Sequence, residues 1–441
     1  MLQGFWVKAR MKEDRVFSPL RVLLPVGIGT CLSLLGDASL YAVLPTHTAD
    51  AGVSVASVGA LLSANRFIRL VLNGPGGMAY DRWRRRRLFV PALFIGAFST
   101  ALYGLTEGFW PLFIGRLLWG LAWVGIWIGG NTIVLDIASH GSRGRWVGAY
   151  HVSFFLGSAG GSLLGGFLTD RLGYHQAMTI SAILTCLGAF VALAFLPETR
   201  GRQEKVMEAG VAPRPIVRSS TDPYGSDSPA ISKQTDGLEF ASAMALYAAH
   251  RIAMAGVLSS TFGFFLLERM GERIQVAGRS LGVATATGLG LGLSTLIAAA
   301  SAPIMGGLSD RAGNRWRVAA GGLVPGVAGF SLLAAGLPLT TLFGVPLTAI
   351  TGGSNQGLST ALIGDLGNVA QQSRRLGVLF TIGDLASAVG PPLAYALIPS
   401  IGIRNLYLLV AVLFASVFIV LMAIDTRQRA FSGRQWGMPP K

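Results

Sequence analysis

Long apolar segments alternate with short polar ones along most of the chain. A helix needs roughly 20 mainly apolar residues to cross the hydrocarbon core of a bilayer, which is about 30 Å thick. Twelve segments meet this requirement, so the pattern predicts twelve membrane-spanning helices. The first six are predicted at about 21–45, 53–80, 88–106, 109–136, 146–168 and 174–197, and the second six at about 241–267, 281–308, 317–337, 340–364, 375–398 and 402–424.

One long polar interruption separates the sixth predicted span from the seventh. Residues 198–240 contain proline, serine and charged residues without apolar periodicity, a composition typical of a linker. The chain is therefore predicted to form two six-helix halves, 21–197 and 241–424, with tails at 1–20 and 425–441.

The composition indicates that lipid surrounds most of the molecule. Of the 441 residues, 51% are hydrophobic and only 13% are charged, whereas a soluble domain has about 25% charged residues. The formal net charge is +15, but the basic residues lie between apolar segments and form no patch of the kind that binds nucleic acid. No nucleotide-binding loop, hydrolase motif or metal-ligand cluster occurs. We therefore expect an all-α membrane protein that is not an enzyme, needs no metal or cofactor and binds no nucleic acid.

Lysine and arginine are distributed unevenly between the two sides of the predicted bundle. With both termini on one side, most of the 36 Lys and Arg residues fall on that side. Positively charged loops usually stay in the cytoplasm, so we expect both termini to be cytoplasmic and the protein to lie in the cell membrane. The loops of the other side hold five arginines, at Arg171, Arg269, Arg273, Arg279 and Arg404.

A short polar pattern recurs in three of the loops. The loop after the second span contains GMAYDRWRRRR (77–87), the loop after the eighth contains GGLSDRAGNRWR (306–317), and the loop after the fifth contains GFLTDRLG (166–173). Positions after the second, fifth and eighth spans alternate between the two sides of the membrane. Three-helix inverted repeats nested within two halves would produce this alternation.

This loop pattern resembles the best-known motif of the major facilitator superfamily, Gly-x-x-x-Asp-Arg-x-Gly-x-Arg-x-Arg. Residues 306–317 match it closely, whereas the first copy has Arg84 in place of a glycine; LPET at 196–199 also recurs in the superfamily. The resemblance covers the chain apart from the linker and tails. It implies two pseudo-symmetric six-helix halves around a central cavity, and transport by alternating access. The candidate gate residues are Gly77, Asp81, Arg82, Arg85, Gly306, Asp310, Arg311, Gly313 and Arg315.

The aspartates of this motif have a physical role that needs no family comparison. A carboxylate beside the first turn of a neighbouring helix can accept its unpaired N–H groups and complement its positive dipole end. We expect Asp81 to reach the start of the eleventh span and Asp310 the start of the fifth. These contacts would hold the halves together on the cytoplasmic side while the cavity is open outward.

Charged residues inside the predicted spans are candidates for proton coupling. Arg116 precedes Gly120 by four residues in GRLLWGLAW, which is similar to the fourth-helix motif of drug:proton antiporters in the superfamily. Asp37 is predicted at a similar depth, and Asp384 is predicted to pair with Arg251 in the second half. Burial and a neighbouring arginine act on a carboxylate in opposite directions, so such a pair could exchange a proton when its access to water changes. A static structural ion pair is the alternative.

Two further arginines, Arg66 and Arg69, lie three residues apart on one face of the second span. No carboxylate is expected at their depth. Together with Arg251 they are candidates for a cavity wall that attracts anions. The alternative is that carbonyl groups and neighbouring polar side chains satisfy them.

The fifth span carries glycines at helical spacing in GSAGGSLLGG. They resemble the fifth-helix motif of antiporters, although Ser162 stands where that motif has proline. Small residues four apart also allow ordinary close packing of helices. The glycines are Gly157, Gly161, Gly165 and Gly166.

These observations predict a monomeric secondary transporter that exports a small organic molecule in exchange for protons, as in the drug:proton antiporter branch. Proton-coupled uptake of an anionic metabolite is an alternative, because arginine exceeds acidic residues inside the spans. A membrane sensor or scaffold that transports nothing is a second alternative, although it would have no use for carboxylates at depth.

Overall fold

The structure, a computed structural model, describes residues 19–138, 142–200, 232–276, 278–366 and 369–435. Most of the two predicted tails and of the predicted linker lies outside the described residues.

Six helices form the first half of the bundle, and each crosses it once. They are α1 (Pro19–Val43), α2 (Val55–Arg82), α3 (Arg85–Leu105), α4 (Phe109–Ile137), α5 (Arg143–Leu172) and α6 (Tyr174–Phe195).

The second half contains the remaining helices and one small hairpin. Helix α7 runs from Ser232–His250 through a π-helical stretch, Arg251–Leu258, into Ser259–Met270. The antiparallel strands β1 (Arg273–Val276) and β2 (Arg279–Gly282) follow. The other helices are α8 (Val283–Ala312), α9 (Arg315–Gly321 continued by Val324–Ala335), α10 (Pro338–Asp365), and α11 and α12, which are the parts of Val369–Gln435 before and after Gly402.

All twelve predicted spans coincide with helical segments. Within the part of the chain that the structure describes, ten helices are long and apolar enough to cross a membrane, and the longest of these, Arg375–Arg429, contains two of the predicted spans. Helix α10, 28 residues long, accounts for the remaining one. The structure therefore confirms the predicted all-α membrane fold, with a two-stranded hairpin as an addition.

Glycines with positive φ end helices at equivalent points of the two halves. Gly173 (φ 92°) separates α5 from α6, and Gly402 (φ 76°) separates α11 from α12. This left-handed backbone region is costly for residues with a Cβ atom. The two glycines are as far apart in the sequence as Asp81 and Asp310, so they mark the same internal repeat.

The two halves touch through a few helices only. Helix α5 packs against α8, α2 packs against α11, and α1 contacts α7 and α8. Within the first half, α1 packs on α5 and α6, while α3 packs on α4 and α6.

The contacts between the halves are concentrated toward one end of the bundle. We call the end where α2 meets α3 and α8 meets α9 the basic end, and the end with the β hairpin the opposite end. Near the opposite end, a Cβ on Gly59 would meet the backbone of Pro391, and one on Gly288 would meet the carbonyl of Ser162. At the basic end, no described atom lies within 4 Å of a Cβ built on Gly77 or Gly306. Among these four glycines, the close approaches between the halves therefore lie toward the opposite end.

Candidate functional site

Asp37 and Arg116 pair inside the first half. The Asp37 Oδ1 and Arg116 Nη1 atoms are 2.5 Å apart; the arginine side chain is fully buried and that of the aspartate is 17% exposed. Gly120, one turn further along α4, lets that helix approach α2, because a Cβ there would meet the carbonyl oxygen of Asn65. This close approach brings the guanidinium to the backbone of α2.

The remaining donors of Arg116 are also used. Its Nε donates to the Leu61 carbonyl at 3.2 Å, and its Nη2 donates to the hydroxyl of Tyr41 at 3.3 Å. Two guanidinium groups lie near the Tyr41 ring. That of Arg116 is 5.2 Å and that of Arg66 is 5.3 Å from the ring centroid. A charge at this depth is tolerated when carboxylate, carbonyl and aromatic partners surround it.

A second carboxylate, Asp384 on α11, lies where the two halves meet. It forms an ion pair with Arg69 of α2, and its Oδ2 accepts from Asn73 Nδ2 at 3.3 Å. Arg251 of α7 lies 3.6 Å from the same carboxylate and also donates to the Gly383 carbonyl at 3.5 Å. The side chain of Asp384 is 17% exposed, so water between the halves reaches it.

The structure brings together the pair predicted in the second half and corrects one expectation. Arg251 faces Asp384 as expected. The expectation that Arg69 has no carboxylate at its depth is wrong, because Asp384 lies beside it. Counting residues along each helix predicts pairs within one half. This contact instead crosses from α2 in the first half to α11 in the second.

Arg66 has neutral partners only among the described residues. Its Nη1 donates to the carbonyl of Ser387 at 2.5 Å, and its guanidinium lies over the Tyr41 ring. Carbonyl groups and polar neighbours therefore satisfy this arginine. Around Asp384 the described residues place two guanidinium groups, those of Arg69 and Arg251, against one carboxylate, an excess of positive charge inside the bundle.

Backbone geometry places Arg251 beside α11. It is the first residue of the π-helical stretch Arg251–Leu258; such stretches occur often at functional sites. Within that stretch Gly256 contacts the backbone of Gly390, since a Cβ on Gly256 would lie 2.9 Å from the Gly390 Cα.

The two motif copies at the basic end do not join the halves in this structure. Asp81 is exposed, and no hydrogen bond from it to the described part of the chain is recorded. Asp310 accepts from Arg315 of its own loop at 3.2 Å, and Arg315 also pairs with Asp365 at 3.0 Å. Gly313 ends α8 in the left-handed conformation, with φ 64°. The predicted contacts to the starts of the fifth and eleventh spans are therefore not seen among the described residues.

Other motif residues belong to a charge network within the first half that the sequence did not reveal. Arg85 pairs with Asp136 at 3.1 Å, and Glu198 accepts from the backbone N–H groups of Arg85 and Arg86 at the start of α3, at 3.0 and 3.3 Å. Arg82 accepts from Arg200 through its carbonyl. The internal repeat could have indicated Asp136 and Glu198. Asp365 and Asp425 follow them in the second half at nearly the distance that separates Asp81 from Asp310.

The third motif copy does join the halves, at the opposite end. Asp170 Oδ2 accepts from the backbone N–H of Thr285, in the first turn of α8, at 2.7 Å. The carboxylate lies so close to Gly282 that a Cβ there would clash with it. The bond type predicted for Asp81 and Asp310 is therefore present at the opposite end, between α5 and α8.

The glycines of α5 pack this helix against two partners. Gly157, Gly161 and Gly165 contact the backbone or Cβ atoms of α1, whereas Gly166 contacts the carbonyl of Ala284 on α8. Ordinary close packing accounts for the first three, and the fourth contact is part of the join between the halves.

Comparison with known families identifies the fold. The model of the Major Facilitator Superfamily matches residues 26–276 and 252–439, which together cover most of the chain. The chain belongs to the major facilitator superfamily. This membership confirms the resemblance seen in the loop motifs, and it makes the protein a multi-pass membrane transporter rather than an enzyme.

Relatives within the superfamily differ in substrate. Over 186 residues, the chain is 27% identical to the tetracycline resistance protein, class B, of Escherichia coli. The aligned region covers 41% of this chain and 46% of that protein. Over 181 residues, it is 28% identical to the 4-hydroxybenzoate transporter PcaK of Pseudomonas putida. This aligned region covers 41% of this chain and 40% of the relative. The matches thus span less than half the length of these relatives.

Solved structures of the superfamily share the whole fold. A bacterial homologue of the human lysosomal transporter Spinster, in an inward-facing and occupied conformation, aligns with a TM-score of 0.74 at 16% identity, over 93% of this chain and 97% of that one. At this identity the likeness shows the fold alone.

Proposed function

We propose that the protein is a proton-coupled secondary transporter that moves a small organic molecule across the cell membrane by alternating access. One observation carries the proposal: two carboxylates inside the bundle, Asp37 and Asp384, are each paired with arginine and each 17% exposed. A carboxylate that is held by a cation and reached by water can bind or release a proton when its surroundings change.

The contacts between the halves support alternation between two states. The halves are joined at the opposite end through Asp170 and separated at the basic end, where Asp81 is exposed. The other state would exchange these roles, with Asp81 and Asp310 on the starts of the eleventh and fifth spans and Asp170 released.

Export in exchange for protons is supported by the Asp37–Arg116 pair and by Gly120, which allows the arginine to reach α2. Two relatives are called tetracycline resistance protein and multidrug resistance protein 3, the latter from Bacillus subtilis. In this mode Asp37 carries the proton and Arg116 holds the deprotonated form.

Uptake of an anionic molecule together with protons is a second candidate, and a separate observation favours it. Two arginines, Arg69 and Arg251, face the carboxylate of Asp384. The name of the 4-hydroxybenzoate transporter shows that one relative moves an organic acid.

The orientation belongs to the same proposal. With both termini in the cytoplasm, the basic end faces the cytoplasm and the β hairpin faces outward. In whole cells, a single cysteine at Trp83, which is 57% exposed, should be protected from an impermeant thiol reagent. A cysteine at Gly271 should react. The reverse labelling pattern would invert the orientation.

Flux in proteoliposomes tests the proposal. Tetracycline and 4-hydroxybenzoate serve as probes, each measured under a pH gradient of either sign. Exchange predicts that a probe moves against the proton gradient, and cotransport predicts that it moves with it. Transport of both probes that ignores the sign and size of the gradient would contradict proton coupling.

The variant Asp37→Asn tests the carrier. An amide cannot bind and release a proton in this range, so gradient-driven transport normalised to folded protein should be lost, while exchange without net proton movement should remain. Gradient-driven transport by a well-folded Asp37→Asn protein would move the carrier role to Asp384.

A further inference from the structure

The acidic group of Asp384 lies between two guanidiniums from different helices. Arg69 reaches it from α2 and Arg251 from α7, while Asn73 donates to its other oxygen. We propose that this site binds an organic anion whose acid group takes the place of the Asp384 carboxylate between Arg69 and Arg251, while Asp384 takes up a proton. The inference rests on the proposed transport function and, of its two coupling modes, requires cotransport of anion and proton.

The charge balance calls for an anionic ligand. With Asp384 ionised, one carboxylate faces both Arg69 and Arg251, so among the described residues one positive charge of this cluster lacks an acidic partner of its own. The Asp37 carboxylate does not supply one, because Arg116 holds it. An unpaired charge inside the bilayer is costly. An acid group that enters from the water-filled side lowers this cost.

The face of α11 that carries the cluster continues toward the basic end. Phe380, Asp384, Ser387 and Pro391 recur every three or four residues and so lie on one face of α11. Ser387 and Pro391 on this face contact α2, at Arg66 and Gly59. Phe380 continues the same face where the halves part, and its ring is 50% exposed.

Aromatic rings next to the cluster define the rest of the ligand. The Phe380 ring lies 6.3 Å from that of Tyr247, which is one helical turn before Arg251 on α7. An acid group at the guanidiniums therefore leaves the body of the ligand near Phe380, which is 50% exposed, whereas Tyr247 is only 6% exposed. This arrangement fits an anion with an apolar or aromatic body better than a small inorganic ion.

Ionised Asp384 and an incoming anion compete for the same guanidinium groups, and this competition couples the binding of the anion to the binding of a proton. Ionised Asp384 occupies Arg69 and Arg251, so an incoming anion must displace it. When Asp384 binds a proton from the water between the halves, its charge is lost and the guanidiniums are free for the anion. The other polar groups that face Asp384, Asn73 and Tyr247, are neutral at physiological pH. Anion and proton therefore promote each other's binding and move together.

Equilibrium binding to the full-length purified protein tests the proposal. The probes are methanesulfonate, hexanesulfonate and benzenesulfonate, which stay anionic at every pH used, each compared with its neutral sulfonamide. At least one sulfonate with an apolar body should bind the wild type better than its sulfonamide, and binding should strengthen as the pH falls from 8 to 5.

The decisive variant is Asp384→Asn, which imitates the protonated side chain. It should bind the sulfonate about tenfold more tightly than the wild type at pH 8, the lower end of the effect that one neighbouring opposite charge has on an ionisable group. Its binding should no longer depend on pH. Arg69→Gln and Arg251→Gln should each lose the preference for sulfonate over sulfonamide. Asp136→Asn is the matched control, because its carboxylate pairs with Arg85 outside this cluster, and it should keep both the affinity and the pH dependence.

The outcomes separate this inference from the transport proposal. Folding of each variant is checked by gel filtration and thermal unfolding, and an anion that binds should raise the unfolding temperature of Asp384→Asn more than that of the wild type. Sulfonate binding that is unchanged or weaker in folded Asp384→Asn, or no better than sulfonamide binding in the wild type, would overturn the anion site even if gradient-driven flux persists. Absence of gradient-driven flux beside a tenfold gain in Asp384→Asn would instead reject the coupling and keep the site.

Discussion

Asp37 and Asp384 are two carboxylates inside the bundle that differ in their surroundings. Asp37 pairs with one arginine of its own half, and the remaining donors of that arginine are used by α2 carbonyls and Tyr41. Asp384 faces arginines from both halves, and the positive charges outnumber it.

When the halves move relative to each other, the Asp37–Arg116 pair can persist, whereas the Arg69–Asp384 pair must change. The helices of one half can move as a unit, so the Asp37–Arg116 pair can stay intact while the halves rock. The Arg69–Asp384 pair joins α2 to α11 across the interface, so a rearrangement of the halves strains or breaks it. We therefore expect mutations of the first pair to affect stability most and mutations of the second to affect the balance between states.

The largest expected effect is that of Arg116→Ala. It leaves the Asp37 carboxylate without its cation and several acceptors unfilled, and breaking a buried pair in this way costs about 3–5 kcal/mol. The yield of monodisperse protein and the thermal unfolding temperature should both fall sharply. Arg69→Ala is the control, because Arg251 remains beside Asp384; an equal loss in both variants would remove the distinction between the two carboxylates.

A smaller effect is expected when the contact between the halves is removed. Arg69→Gln should weaken the join by about 1.5–3 kcal/mol, the range for a hydrogen bond to a charged group, and so shift the population away from the state open at the basic end. Arg251→Gln, within the second half, should shift it less. Spin labels at Trp83 and Ala312, on loops of different halves at the basic end, report the distance. Equal shifts in both variants would argue against a special role for the bond across the halves.

Removing the join at the opposite end should have a more modest effect of the same sign. Asp170→Asn weakens one carboxylate contact at the start of α8, an effect of about 0.5–1 kcal/mol, or roughly a two- to fivefold change in population. The same pair of labels should show a shift toward the state closed at the basic end. An unchanged distance distribution would mean that the Asp170–Thr285 bond does not stabilise this state.

The smallest shift is expected for Asp81→Asn and Asp310→Asn, and it should have the opposite sign. Among the described residues these carboxylates make no hydrogen bond or ion pair across the halves, so their loss is expected to destabilise the other state. The proportion of molecules open at the basic end should rise, with expression largely unchanged and transport impaired. If neither variant changes the label distances, the latch hypothesis is wrong.

Much of the architecture could be predicted from apolar run lengths and loop motifs. The twelve predicted spans coincide with helical segments. The Asp37–Arg116 and Arg251–Asp384 pairs could also be predicted from the sequence, because each joins helices of one half at similar depth. The network of Arg85, Asp136 and Glu198 was missed because the acids lie at helix ends and look like ordinary loop charges.

The sequence by itself determined the number and placement of the apolar segments, the repeat of the loop motif and the presence of unusual charges inside the spans. These depend on local composition, because a segment that cannot be solvated by water must enter lipid. The tertiary structure alone decided which of those charges meet. Arg69 with Asp384, and Asp170 with the start of α8, are contacts between halves, and their existence depends on how the two bodies are placed. No periodicity along one helix carries that information, because the distance between side chains on α2 and α11, or on α5 and α8, is set by the packing of whole helices rather than by the residues next to them.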